Sequence, residues 1–227
     1  MKSKIKQFTA LFLSIAVLFA YAPHIYADTN AEDKLLGSTY QEIADAVATM
    51  FGVNMQVELD LRKGRSEMTA EDLYAIQAHL VHHATITAET NAMSRKLWEA
   101  RTGIPLEDAV QHTSQPLAVE SFSTMNVTRH ANPLHHDSWI VITLRGAIQT
   151  NTNGVRTWNR VDNITSESSH TSGPLAVSFS SRSFTYSIID GIRTVAAHVT
   201  GLSRIRNPIV GLDSTSEITL YTEFHSQ

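Results

Sequence analysis

The chain has 227 residues, 42% of them hydrophobic, with a formal net charge of −4 at pH 7 and no cysteine. Without cysteine there are no disulfide bonds and no thiolate metal sites, so stability must come from burial of a hydrophobic core. The acidic balance leaves no basic footprint for nucleic acid or anionic lipid, which disfavours both as partners.

Residues 1–27 have the three parts of a secretory signal peptide. Three lysines precede an apolar run, and Ala27 offers a small residue at a cleavage point before Asp28. The apolar run is shorter than the roughly twenty residues that a membrane-spanning helix needs, and no later segment is apolar enough to span a bilayer. We therefore expect a secreted, extracellular protein with no transmembrane segment after cleavage. Export without disulfide bonds favours a bacterial source.

Residues 28–116 form a predicted helical region, with fourteen acidic residues against seven basic ones. Apolar side chains recur there at every third or fourth position, which is typical of amphipathic helices. The pattern predicts about three helices: residues 40–51, a second that begins at Thr69, and a third that begins at Thr87 and ends before Gly103. Between the first two, residues 55–61 alternate enough to predict a short strand.

Residues 117–227 form a predicted antiparallel β-sandwich domain of seven to eight strands, because apolar side chains recur there at every second position. The clearest alternating runs are residues 140–148, 175–179, 184–188, 195–199 and 218–224. Asn153-Gly154 and Asp190-Gly191 lie between such runs and predict tight hairpin turns. The predicted fold class is therefore α+β, a helical segment followed by a sandwich, with an open barrel as the rival to the sandwich.

Two histidine clusters are candidate metal ligands. His79 and His83 lie one turn apart on the second predicted helix and can present two imidazoles to one ion. His135 and Asp137 lie before the first long strand, where alternate residues point to the same face. Zinc is the possible metal for these four residues, although Leu80 stands where a metalloprotease helix has its glutamate. The alternatives are that His79 and His83 form a polar flank of the helix, and that His135 and Asp137 lie in a solvated loop.

Trp158, Arg156 and Arg160 are the predicted binding residues. They alternate along one segment, so an indole and two guanidinium groups are expected to share an outward face. An exposed aromatic ring on a polar sheet face is a stacking platform for sugars or peptides, and Trp139 is a further candidate for that role. The alternative is a wet sheet face that carries many serines and threonines without binding anything.

The sequence favours a binding function over an enzymatic one. It has no glycine-rich phosphate loop, no EF-hand pattern and no nucleophile elbow. The leading hypothesis is a secreted binding or interaction protein for an extracellular or cell-envelope component. The first alternative is a metal-assisted hydrolase that uses His79 and His83. The second alternative is a membrane-active toxin whose hairpin, residues 175–200, inserts into a bilayer.

Overall fold

The computed structural model describes residues 41–59, 70–114, 124–133, 135–172, 175–207 and 211–226. All of these residues belong to one compact unit, Gly37–Gln227. The predicted signal peptide, residues 1–27, lies outside the described residues. Within the described part of the chain, no helix has both the length and the apolar character needed to cross a membrane.

Two α-helices occur in the described residues, and each ends at a glycine. Helix α1 covers residues 41–51 and is followed by Gly52 at a φ of +64°. Helix α2 is Ala70–Thr102 and is followed by Gly103 at a φ of +69°, whose N–H still donates to the carbonyl of the helix's last turn at 2.9 Å. Positive φ favours glycine, and it turns the chain away from the helix axis. Both predicted helix ends are therefore confirmed.

The prediction of about three helices is wrong, because the second and third are one continuous helix, α2. Thr87 was expected to cap a new helix. Instead it is fully buried in the middle of α2, and its hydroxyl lies 2.9 Å from the hydroxyl of Ser216. A hydroxyl that bonds outside its own helix does not compete with the helix backbone, so no helix end forms there.

Nine strands are described, and most residues of the fold lie in antiparallel sheets. In chain order they are β1 (Met55–Leu59), β2 (Gln111–Thr113), β3 (Thr124–Asn132), β4 (His135–Thr150), β5 (Arg156–Thr165), β6 (Glu167–Ser172), β7 (Leu175–Ile189), β8 (Thr194–Asn207) and β9 (Leu212–His225). A short 3₁₀ helix, Leu106–Asp108, precedes β2. The α+β fold class is thus confirmed, and β1 confirms the short strand predicted between the first two helices.

The strands form two sheets. The six-stranded sheet has the order β1-β9-β8-β7-β2, with β6 also paired to β7, and the three-stranded sheet has the order β3-β4-β5. The sheets are joined where β6 meets β4: the hydroxyl of Ser166 donates to the carbonyl of Val141 at 2.6 Å, and the N–H of Val141 donates to the hydroxyl of Ser168 at 3.0 Å.

One hydrophobic core draws side chains from both sheets. The three-stranded sheet contributes Ile140, Ile142, Leu144, Trp158 and Ile164, and the six-stranded sheet contributes Phe179, Phe184, Val195, Ala197, Val199, Ile218, Leu220 and Phe224. Most of these residues belong to the runs whose alternation predicted strands. Each large side chain that is buried in this way stabilises the fold by about 1.5–3 kcal/mol, so the core holds the two sheets together.

Helix α2 covers the edge of β9 beyond the stretch that pairs with β1. The side-chain amide of Asn91 accepts the N–H of Thr219 at 2.7 Å and donates to the carbonyl of Glu217 at 3.3 Å. The hydroxyl of Ser94 donates to the carbonyl of Thr219 at 2.7 Å and accepts the N–H of Tyr221 at 3.1 Å. These side chains take the place of a neighbouring strand, and so they protect the edge from pairing with another chain.

The turn between β7 and β8 is held in an unfavourable conformation. Asp190, Gly191 and Ile192 have φ values of +53°, +63° and +64°. The Asp190-Gly191 hairpin turn is thereby confirmed, but Ile192 is β-branched and belongs to the residues least suited to positive φ. Its carbonyl accepts the N–H of Trp158 at 2.8 Å, which fixes the turn against β5.

Replacement of Ile192 by glycine is expected to raise the free energy of unfolding by about 0.5–1 kcal/mol, because glycine relieves left-handed strain at a smaller entropic cost. The Ile192 side chain is 47% exposed, so little packing is lost. Urea unfolding measures the change. The matched control is Val155→Gly, another exposed β-branched residue but one without positive φ, and it is expected to destabilise the protein. Equal losses in both variants would contradict the prediction.

Candidate functional site

His79 and His83 form part of a buried polar link between α2 and β9. The Nδ1 atom of His83 lies 3.0 Å from the hydroxyl of Ser214, and its Nε2 atom lies 2.7 Å from the hydroxyl of Ser216. His79 Nε2 lies 3.4 Å from the same hydroxyl of Ser214, and Thr87 extends the link from Ser216. His83, Thr87 and both serines are buried, so these bonds are shielded from water.

The electrostatics of this link keep His83 neutral at pH 7. Burial lowers the pKa of His83 to about 3, with smaller effects in the same direction from His79 and His82. Burial also lowers the pKa of His79. A neutral imidazole has one donor and one acceptor nitrogen, and each of them meets a serine hydroxyl. A metal ion at His83 would therefore have to displace one of these hydroxyl groups.

The predicted metal site is only partly within the described residues. His135 begins β4 and pairs with Asn132 across the β3–β4 hairpin, but the side chains of His135 and Asp137 lie outside the described residues. Among the side chains that are described, no three histidine, aspartate or glutamate residues come together in a way that could hold a metal ion. The zinc site and the hydrolase that depends on it stay predictions.

Trp158 does not share an outward face with Arg156 and Arg160. Its side chain is 2% exposed and lies in the core, where the indole N–H donates to a backbone carbonyl of β9 at 3.2 Å. Between Trp158 and Arg160 the pairing of β4 with β5 shifts by one residue, because Ala147 pairs with Arg160 and Ile148 pairs with Trp158. An extra residue at such a bulge interrupts the alternation of faces. The expected shared face is therefore wrong.

The two arginines are both exposed but have different surroundings. The guanidinium of Arg160 is ion-paired with Asp162, two residues further along the same strand. Arg156 is the first residue of β5, and its backbone carbonyl accepts the hydroxyl of Ser226 at 2.7 Å. The three predicted binding residues thus occupy a core position, a surface ion pair and the end of a strand, and they do not form one site.

An exposed apolar face lies instead on the outer side of the three-stranded sheet. Met125 and Val127 on β3 are 62% and 50% exposed, and Trp139 on β4 is 60% exposed. Their cross-strand partners are Arg145, Thr143 and Ala131, and directly paired residues point to the same side of a sheet. We call the side of β3 and β4 that carries these residues the outer face.

The inner side of β3 is polar, which explains why the apolar residues point outwards. Asn126 donates to the carbonyl of His225 at 2.8 Å, and Thr128 and His130 place their side chains 2.9 and 2.8 Å from the hydroxyl of Thr222. Burial lowers the pKa of His130, so this contact is made by a neutral imidazole. β3 was not among the strands predicted from the sequence. Residues 124–132 do alternate, but the side chains at the buried positions are polar. This is the reverse of the pattern that usually indicates a strand.

Comparisons with known proteins give no match for this chain. No family model, no curated protein and no solved structure is significantly similar to it. Its function is therefore inferred from the chemistry of the exposed surfaces.

Proposed function

We propose that the protein is a secreted binding protein that recognises a polysaccharide of the cell envelope through its outer face. The observation that carries this proposal is the joint exposure of Trp139, Met125 and Val127 on one side of a sheet whose other side is packed. Exposed large apolar side chains that are grouped on one face mark an interaction site more often than scattered ones do. The shared core of the two sheets supports a sandwich, with this face on the outside of the smaller sheet.

The shape and chemistry of the outer face favour an extended sugar chain. From Met125 to Ala131 the face runs for roughly 20 Å along β3. Trp139 offers an indole ring for stacking on the apolar side of a sugar ring. Arg129 and Thr143 lie on the same side and offer hydrogen-bond donors to hydroxyl groups. Apolar stacking beside polar donors is what saccharide recognition requires.

Replacement of Trp139 by alanine is expected to weaken binding to purified bacterial peptidoglycan by about tenfold or more, because a central aromatic residue carries much of the energy of an interface. Co-sedimentation over a range of peptidoglycan concentrations measures the affinity. The thermal midpoint should change little, since the side chain is 60% exposed.

The matched control is Tyr74→Ala, because Tyr74 is an aromatic residue that is 62% exposed but belongs to α2, whereas the outer face belongs to β3 and β4. Its replacement should leave binding unchanged. An equal loss of binding in both variants would sink the proposed site. Wild-type protein that does not sediment with peptidoglycan would overturn the proposed ligand class.

The two alternative hypotheses, a metal-assisted hydrolase and a membrane-active toxin, gain no support from the contacts that are described. His79 and His83 are engaged with serines, as set out above. In the hairpin of residues 175–200, Val195, Ala197 and Val199 are fully buried in the shared core. Insertion of this hairpin into a bilayer would therefore first have to open the core. Both hypotheses stay predictions.

A further inference from the structure

A second exposed apolar surface lies on helix α2, on the side that faces away from the sheet. The side chains of Met93 and Leu97 are 56% and 41% exposed. Ser94 and Trp98 lie on the side of the helix that packs against the sheet, and both are buried. Met93 and Leu97 are four residues apart, so they are neighbours on the helix surface. An exposed apolar group of this kind points to a contact with another molecule.

Two charged residues flank this apolar pair, and neither forms an ion pair with a described residue. Glu89 lies about one turn before Met93 and Lys96 about one turn after it, so all three share one face of the helix. The other charged side chains in this half of α2 are engaged within the chain, Arg95 with Glu99 and Glu107, and Arg101 with Glu223 and Asp190. We call Glu89, Met93, Lys96 and Leu97 the helix patch.

The order of the charges makes the helix patch complementary to itself. Glu89 and Lys96 are seven residues apart, which is about two turns, or roughly 10 Å along the helix. If a second copy of α2 runs antiparallel to the first, a twofold axis between Ala92 and Met93 places Glu89 of each copy opposite Lys96 of the other. The two Met93 side chains then meet at the axis. Ala92 is exposed and small, which lets the two helices approach closely.

We propose that the helix patch binds the helix patch of a second copy of this chain, as an antiparallel pair of α2 helices. Met93 and Leu97 are removed from water, and two ion pairs between Glu89 and Lys96 fix the register. The helix patch has no net charge although the whole chain has a net charge of −4, so two copies meet there without local repulsion. This charge complementarity favours a second copy over an unrelated partner.

The contact is limited to part of one helix, so we expect a weak dimer with a dissociation constant on the order of 100 µM. The proposal does not depend on the polysaccharide that is proposed for the outer face. Sedimentation equilibrium of the purified protein, at low ionic strength and at concentrations on both sides of this value, measures the affinity. A monomer at every concentration would overturn the proposal.

Charge exchange tests the ion pairs. Glu89→Lys and Lys96→Glu each place like charges opposite each other on both sides of the axis, and each should weaken the dimer by about tenfold or more. The double variant that carries both exchanges restores opposite charges and should recover the wild-type affinity. The matched control is Glu42→Lys, which makes the same change of charge at an exposed residue of α1 and should leave the dimer unchanged. Single exchanges without effect, or a double variant that does not recover, would contradict the proposed pairing.

The register can be checked directly because the chain has no cysteine. Met93→Cys should form a disulfide-linked dimer on air oxidation, since the two residues meet at the axis. Tyr74→Cys is the control, because Tyr74 is 62% exposed but lies about five turns away along α2. It should stay monomeric under the same conditions. Equal cross-linking of the two variants would show random collision and overturn the proposed axis.

Discussion

Acidification from pH 7 to pH 4.5 is expected to lower the free energy of unfolding by about 2–3 kcal/mol through His83 alone. His83 is fully buried between α2 and β9, and its pKa in the folded protein is about 3. In the unfolded chain the same side chain titrates near 6.5. Each pH unit between these two values changes the stability by about 1.4 kcal/mol.

The direction of the effect follows from proton uptake. Between pH 6.5 and about 3 the unfolded chain binds a proton at His83 that the folded protein does not, so acid favours unfolding. The contribution of His83 to the free energy of unfolding is complete above pH 6.5 and is lost progressively as the pH falls towards 3. His198 acts in the same sense, because burial, assisted by the charge of Arg95, lowers its pKa to about 4. The helix α2 therefore depends on neutral histidines for its attachment to the sheet.

Urea unfolding at several pH values between 7 and 4.5 measures this dependence. In His83→Gln the amide can still bond to Ser214 and Ser216 but cannot take up a proton, so the slope of stability against pH should fall by about 1 kcal/mol per unit. The matched control is His82→Gln, an exposed histidine of the same helix, which should keep most of the wild-type slope. A slope that is the same in His83→Gln and in the wild type would contradict the assignment.

The sequence was sufficient to locate most elements whose buried positions are apolar. Val195, Ala197 and Val199 alternate because one side of β8 lies in the shared core, and the periodicity of the sequence reports that burial directly. Gly52 and Gly103 ended both helices as expected, since their positive φ is a local requirement that is visible in the residue type. At these helix ends and in this strand, the residue types and the hydrophobic periodicity predict the structure that is observed.

The predictions that were wrong concern residues whose structure depends on contacts with distant parts of the chain. Thr87 has the local chemistry of a helix cap, but Ser216, 129 residues later, provides the partner that lets α2 continue. In the sequence Trp158 alternates with Arg156 and Arg160, but its side chain is buried in the core, and β5 has an extra residue between Trp158 and Arg160. Neither the continuation of α2 through Thr87 nor the burial of Trp158 leaves a signal within a short window of sequence, because their partners Ser216 and Phe224 are distant along the chain.

The candidate site was harder to predict than the fold for a related reason. The outer face depends on which side of β3 is buried, and Asn126 and Thr128 make that side polar through bonds to β9. Sequence alone therefore identified Trp139 as a possible platform without indicating that Met125 and Val127 lie on the same surface.

Replacement of Gly201 by alanine is expected to lower the free energy of unfolding by about 3 kcal/mol, because an added methyl group has no space in the core. A Cβ atom at this position would lie 2.4 Å from the carbonyl oxygen of Ser180 and 2.7 Å from the ring of Phe179. The backbone approaches closely here because β7 has a register shift between Ser181 and Ser183, opposite Gly201. Only glycine allows that approach.

Thermal and urea unfolding of Gly201→Ala measure the loss, with Gly154→Ala as the matched control. Gly154 has open space around it but a φ of +77°, so alanine there meets only backbone strain and should destabilise by about 1 kcal/mol. The difference between the two variants isolates the steric part of the effect. A loss at Gly201 no greater than that at Gly154 would mean that β7 and β8 can separate without disturbing the core.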